Sequence, residues 1–128
     1  MPLRLQAFDH VHIYVQNRDA AERWYGRILG LTRTKNLEFW AIDGGPLTLE
    51  NDTGAIHLAL FERPVQPCRS TIALRVSGTE FHAWRAHLER ELPEGVTFED
   101  HEASVSIYFA DPDGNPFEIT SYENTESP

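Results

Sequence analysis

The chain has 128 residues, 41% hydrophobic and 24% charged, with 20 acidic against 11 basic side chains and a formal charge of -9. That is enough for one real core but not for two independent ones, and the lack of a basic cluster speaks against nucleic-acid binding. No apolar run approaches membrane-spanning length, the one cysteine excludes an intramolecular disulfide or a cysteine zinc site, and residues 1–6 lack a signal-peptide core. A soluble, cytoplasmic protein is expected.

In chain order, residues 8–15 alternate. Val11, Ile13 and Val15 point one way, and His10, His12 and Tyr14 point the other, the period-2 signature of a strand with two unlike faces. Asn17 or Asp19 then caps a helix carrying Ala20, Ala21, Trp24, Ile28 and Leu29 at helical spacing, with Gly30 as its stop. Strand-like runs at 37–42, 47–50 and 55–61 are separated by turn chemistry at 43–46 and 51–54. Pro64 and Pro67 mark a joint where a sheet strand cannot easily continue.

The pattern then recurs. Residues 71–76 predict a strand with Ile72, Leu74 and Val76 on its apolar side. Ser77-Gly78-Thr79-Glu80 offers a capping box for a helix with Phe81, Trp84, Leu88 and Leu92 inward. Strands are expected at 96–98 and 104–110. The turn Asp111-Pro112-Asp113-Gly114-Asn115 leads to a last strand at 116–122, followed by a polar tail from 123 to 128. Trp24 and Trp84, at corresponding helix positions, are expected in the core.

The two halves are copies. A shift of 61 positions lays His10 on Thr71, Val15 on Val76, Asp52 on Asp113, His57 on Glu118 and Glu62 on Glu123. Each half reads strand, helix, three strands, and neither buries an apolar face alone. The expected fold is therefore α+β, as a single domain. It has module one at about 7–62, a linker at 63–69 and module two at about 70–122, with helices outside and polar faces around a shared cavity.

Strand parity sorts the chemistry. His57 shares a face with Ala59 and Phe61, and Glu118 with Thr120, opposite Phe117 and Ile119. A carboxylate facing a closed interior is costly unless paired or bound to a cation. Two converging imidazoles and one carboxylate would form the ligand set of an open divalent site for zinc, iron(II), manganese or nickel, against a hydrogen-bonded packing role for either histidine. His12 and Tyr14 are candidates for substrate contact or general acid/base work, against simple cavity lining. Arg75 is a candidate to hold an anionic group, against a surface ion pair. His82 and His87 do not share a helix face. His101 is expected to be exposed and Cys68 inert.

Three stretches resemble a known family: Asp9-His10-Val11-His12-Ile13-Tyr14-Val15, then Trp24-Tyr25 with Ile28-Leu29-Gly30-Leu31, then Phe109-Ala110-Asp111-Pro112-Asp113-Gly114-Asn115-Pro116-Phe117-Glu118. Over residues 7–122 the chain resembles the vicinal oxygen chelate superfamily, also called the glyoxalase/bleomycin resistance/extradiol dioxygenase superfamily. The resemblance implies paired βαβββ modules in an open, cupped mixed sheet, usually in a homodimer. It also implies one divalent metal ion chelated by adjacent oxygens of a small substrate. Carried over by position, the metal ligands are His10, His57 and Glu118. Thr71 departs from the pattern, standing where histidine is common. Its neutral hydroxyl is a poor ligand, which favours three protein ligands with extra water. The activity implied is isomerase, lyase or thiol-transferase chemistry, with extradiol dioxygenation less favoured. The alternative is a metal-free drug- or metabolite-binding protein of the bleomycin-resistance type, with Tyr14, Trp40 and Tyr108 compatible with an aromatic cleft. Trp40, Tyr108, Thr71 and Arg75 are the substrate-contact candidates.

Overall fold

The computed structural model describes residues 3–123, which divide between Gln66 and Pro67 into two compact units. Each unit is a βαβββ module of an α+β fold. Of the expected polar tail, residues 124–128 lie outside the described residues.

Unit one runs β1 (Val11–Val15), α1 (Arg18–Leu29), β2 (Thr32–Arg33), a 3-10 helix (Lys35–Ala41), β3 (Leu47–Glu50) and β4 (His57–Glu62). Its sheet order is β1-β4-β3-β2, with β1 parallel to β4 and the other pairs antiparallel. Asn17 caps α1 by accepting the Ala20 N–H at 2.8 Å, and Gly30 ends it in the left-handed region at φ 71°. The helix buries Ala21, Trp24, Tyr25, Ile28 and Leu29, while the strands bury Ile13, Val15, Leu47, Leu49, Leu58 and Leu60. These form one apolar layer between helix and sheet. The opposite face of β1 carries His12 and Tyr14, both exposed. Strand alternation thus separates core from chemistry.

The run 37–42 is a correction. It was expected as a strand, yet Lys35–Ala41 is a 3-10 helix. The physical reason is that its apolar residues have no second face to bury against: Leu37 is half-buried and Phe39, Trp40 and Ile42 are all exposed. Thr34 instead turns the chain, its carbonyl accepting the Leu37 N–H at 2.9 Å. Arg18 then clamps the segment, with Nη1 donating to the carbonyls of Ala41 at 3.1 Å and Gly45 at 2.9 Å. The pairing with β3 falls to Thr32–Arg33, too short to leave a periodic trace.

Unit two runs β5 (Ile72–Arg75), α2 (Gly78–Glu91), β6 (Thr97–Asp100), β7 (Val105–Ala110) and β8 (Pro116–Ser121), in sheet order β5-β8-β7-β6. Ser77 Oγ accepts the Glu80 N–H at 3.1 Å, and its hydroxyl meets Glu80 Oε1 at 3.2 Å. The core holds Phe81, Leu88, Leu92, Ile107, Phe109, Phe117 and Ile119. Trp84 differs from expectation: it is half-buried, whereas Trp24 is buried. The β7–β8 turn is built on Asp111. Its buried carboxylate accepts the N–H groups of Asp113 at 2.9 Å and Asn115 at 2.8 Å, and Gly114 takes φ 85°.

Candidate functional site

Unit one contains a pocket lined by Asp9, His10, Leu37, Trp40, Pro46, Thr48, His57 and Ala59. Its floor comes from the sheet and one wall from the 3-10 segment. The parallel register Val11 to Leu58, continued one residue back, sets His10 beside His57. One imidazole from just before β1 and one from the start of β4 thereby reach one pocket.

Each ring has a partner. Asp9 Oδ2 lies 2.7 Å from His10 Nδ1, and His10 Nε2 lies 3.0 Å from His12 Nε2. A carboxylate accepting the Nδ1 proton holds His10 in the tautomer whose Nε2 offers a lone pair. His57 pairs differently: Glu50, its cross-strand neighbour, brings Oε1 to 3.3 Å from His57 Nε2. To ligate through Nε2, His57 must therefore release Glu50 or share its ligand with it.

In unit two, Glu118 stands on the non-core face of β8, between the buried Phe117 and Ile119. Ser106, wholly buried, donates its hydroxyl to Glu118 Oε2 at 2.6 Å and also approaches Thr120 Oγ1 at 3.1 Å. Tyr108 is the cross-strand partner of Glu118. Burial pushes its phenol above the ordinary value, and the Glu118 charge adds to the rise. His101 Nε2 lies 3.0 Å from the Tyr108 hydroxyl. His101 is exposed, as expected, but it is not idle.

The parallel register of unit two breaks the repeat by two residues. Ile72 faces Phe117, so Ala73 rather than Thr71 is the neighbour of Glu118. Thr71 lies just before β5 and is exposed, and Arg75 stands on the same exposed face, opposite Thr120 in β8. Trp40 lines the pocket of unit one at 45% exposure. His12 and Tyr14 lie outside that lining, each against Phe61, with ring centroids at 4.6 and 5.9 Å. Asp9, Glu50 and Ser106, the polar partners of the candidate ligands, were not singled out as site residues from sequence. Among the described residues no three His, Cys, Asp or Glu side chains are grouped as a metal site.

The family model described as "Glyoxalase/Bleomycin resistance protein/Dioxygenase superfamily" matches residues 7–119. The chain belongs to this superfamily. Solved structures of similar fold include an integron cassette protein, HFX_CASS4, from the mobile metagenome of the Halifax Harbour sewage outfall. It is 23% identical, with TM-score 0.72, covering 91% of this chain and 99% of that one. The virulence protein STM3117 of Salmonella typhimurium is 20% identical, with TM-score 0.66, covering 94% and 99%. The genomically encoded fosfomycin resistance protein FosX of Listeria monocytogenes, solved with Mn(II) and sulfate, is 14% identical, with TM-score 0.67, covering 92% and 91%. At these identities the likeness is one of fold. No curated protein matches the chain. Superfamily membership accounts for the duplicated modules, and no helix among the described residues is long and apolar enough to cross a membrane.

Proposed function

We propose that this protein is a metal-dependent enzyme of the glyoxalase-like type, acting on a small polar molecule with adjacent oxygens by isomerase, lyase or thiol-transfer chemistry. His10, His57 and Glu118 would hold one divalent ion. The two units would act as one domain in a cytoplasmic homodimer. The observation that carries the reading is the Asp9 carboxylate on His10 Nδ1 at 2.7 Å, because metal-bound imidazoles are commonly oriented by such an outer carboxylate. Support also comes from FosX, solved with Mn(II). The donor types suit the group: two imidazoles and a carboxylate are ligands of zinc, nickel, manganese or iron(II).

When bound, the ion would supply Lewis-acid stabilisation of an oxyanion or enolate on the chelated substrate. The remaining work falls to side chains. Ser106 holds Glu118 in one orientation through its hydroxyl. Trp40, Leu37 and Pro46 give the pocket an apolar wall against a small ligand. His12 and Tyr14 are the candidates to move a proton or touch substrate, and Thr71, Arg75 and Tyr108 to contact its polar groups.

A second reading, a metal-free binder of a drug or metabolite, is favoured by the Glu50–His57 pair, which already gives His57 a partner, and by the exposed Trp40 at the pocket wall. Metal analysis separates the two. Protein purified without a chelating tag is expected to carry about one equivalent of zinc, nickel, manganese or iron, lost in His10→Ala and in Glu118→Ala. Protein that takes up no metal after reconstitution would favour the binder instead.

A further inference from the structure

We propose that His12 is a metal ligand, chelating with His10 the ion of the centre proposed above, on which this inference rests. His12 lies in β1 and His10 just before it, two residues apart and both exposed, and their Nε2 atoms stand 3.0 Å apart. The ring centroids are 4.9 Å apart, so the nitrogens are much closer than the rings. The ring planes lie 20° apart, and it is the Nε2 corners that come together. Asp9 accepts the Nδ1–H hydrogen bond of His10, which in the neutral ring leaves Nε2 as the lone pair.

Two imidazole nitrogens at about 2.1 Å from one ion stand about 3.0 Å apart when their bonds meet at a right angle. At the tetrahedral angle the span is about 3.4 Å. The observed separation therefore suits a six-coordinate ion such as nickel(II), manganese(II) or iron(II) better than four-coordinate zinc. Both rings are held in advance, His10 by Asp9 and His12 by the Phe61 ring at 4.6 Å. A preformed chelate loses less side-chain entropy on binding than two free rings would. His12 then adds a third nitrogen donor to those of His10 and His57, and proton transfer falls to Tyr14. The competing explanation for the short contact is a plain hydrogen bond from His12 Nε2–H to His10 Nε2.

The test uses the full chain loaded with one equivalent of Cu(II), counting coordinated imidazoles by pulsed electron paramagnetic resonance, with Ni(II) affinity measured by calorimetry. His12→Phe keeps a ring against Phe61 and removes the nitrogen, and His12→Gln is the second variant should the first fail to fold. The expected result is one imidazole fewer in the variant and Ni(II) affinity weaker by about tenfold or more. His57→Ala should retain the imidazoles of His10 and His12. An unchanged count with unchanged Ni(II) affinity in the His12 variants overturns this inference while leaving the metal centre standing. Wild-type protein that binds neither ion overturns both.

Discussion

Glu62, at the end of β4, accepts the backbone N–H of Arg18 at 2.9 Å, the first residue of α1. The sister unit repeats the contact, where Glu123 accepts the N–H of Gly78, the first residue of α2, at 2.8 Å. A carboxylate at or just past the end of the last strand thus satisfies one of the donors that a helix leaves open at its start, and it sits at the positive end of the helix dipole. The duplication preserved a device as well as a shape. Glu62→Ala should cost about 1 kcal/mol, read as a lower urea midpoint at unchanged slope. Glu62→Gln, which keeps an acceptor and loses the charge, should recover part of it.

Asp9 should matter to metal binding without being a ligand. Asp9→Asn leaves a group able to meet His10 Nδ1 but removes the charge that fixes the tautomer. Metal affinity should fall by about 10- to 100-fold, with no change in thermal stability of the metal-free protein. Equal affinities measured by competition with a chelator would refute the role.

The Asp111 carboxylate accepts two backbone N–H groups and the Asn115 side-chain amide at 2.8 Å. Removing it takes the acceptor from three part-buried donors, so Asp111→Ala should destabilise by about 1–3 kcal/mol. Because this turn leads into β8, the variant should also lose ordered placement of Glu118. Hydrogen exchange at residues 105–121 reads both effects.

Glu22 of α1 and Arg33 of β2 form a two-pronged pair, at 2.6 and 3.0 Å. The hydrogen bond from Arg33 holds the Glu22 carboxyl below its ordinary range. Its folded pKa is lowered, so its stabilisation is full above the unfolded value, about 4.3, and is lost as pH falls through the folded one. Both side chains are partly exposed, so the amount is about 0.5 kcal/mol. Arg33→Ala should lower the melting temperature slightly at pH 7, and the difference from wild type should vanish in acid.

Much of this was legible in the residues, and the reasons for the rest are local. Asn17 and Gly30 announce α1 because caps are set by short-range chemistry, and β1 alternation separates Ile13 and Val15 from His12 and Tyr14. The partners of the candidate ligands were not legible. Glu50 meets His57, and Ser106 meets Glu118, only through antiparallel register, and no periodicity encodes which residues face each other across strands. The same is true of the register in unit two, where Ala73 rather than Thr71 neighbours Glu118 although the repeat aligns Thr71 with His10. Residues 37–42 misled because an apolar run without alternation carries no secondary-structure signal of its own.

A β-carbon added at Gly45 would lie 1.8 Å from the Trp40 carbonyl oxygen, while Arg18 grips the carbonyls of Ala41 and Gly45 from the helix. The backbone beside the pocket is thus pinned at a point where no larger residue is tolerated without a shift. Descendants of this sequence have little freedom to reshape that wall by moving the chain. They would acquire new ligands by exchanging the side chains at positions 37 and 40, a route that leaves the scaffold untouched.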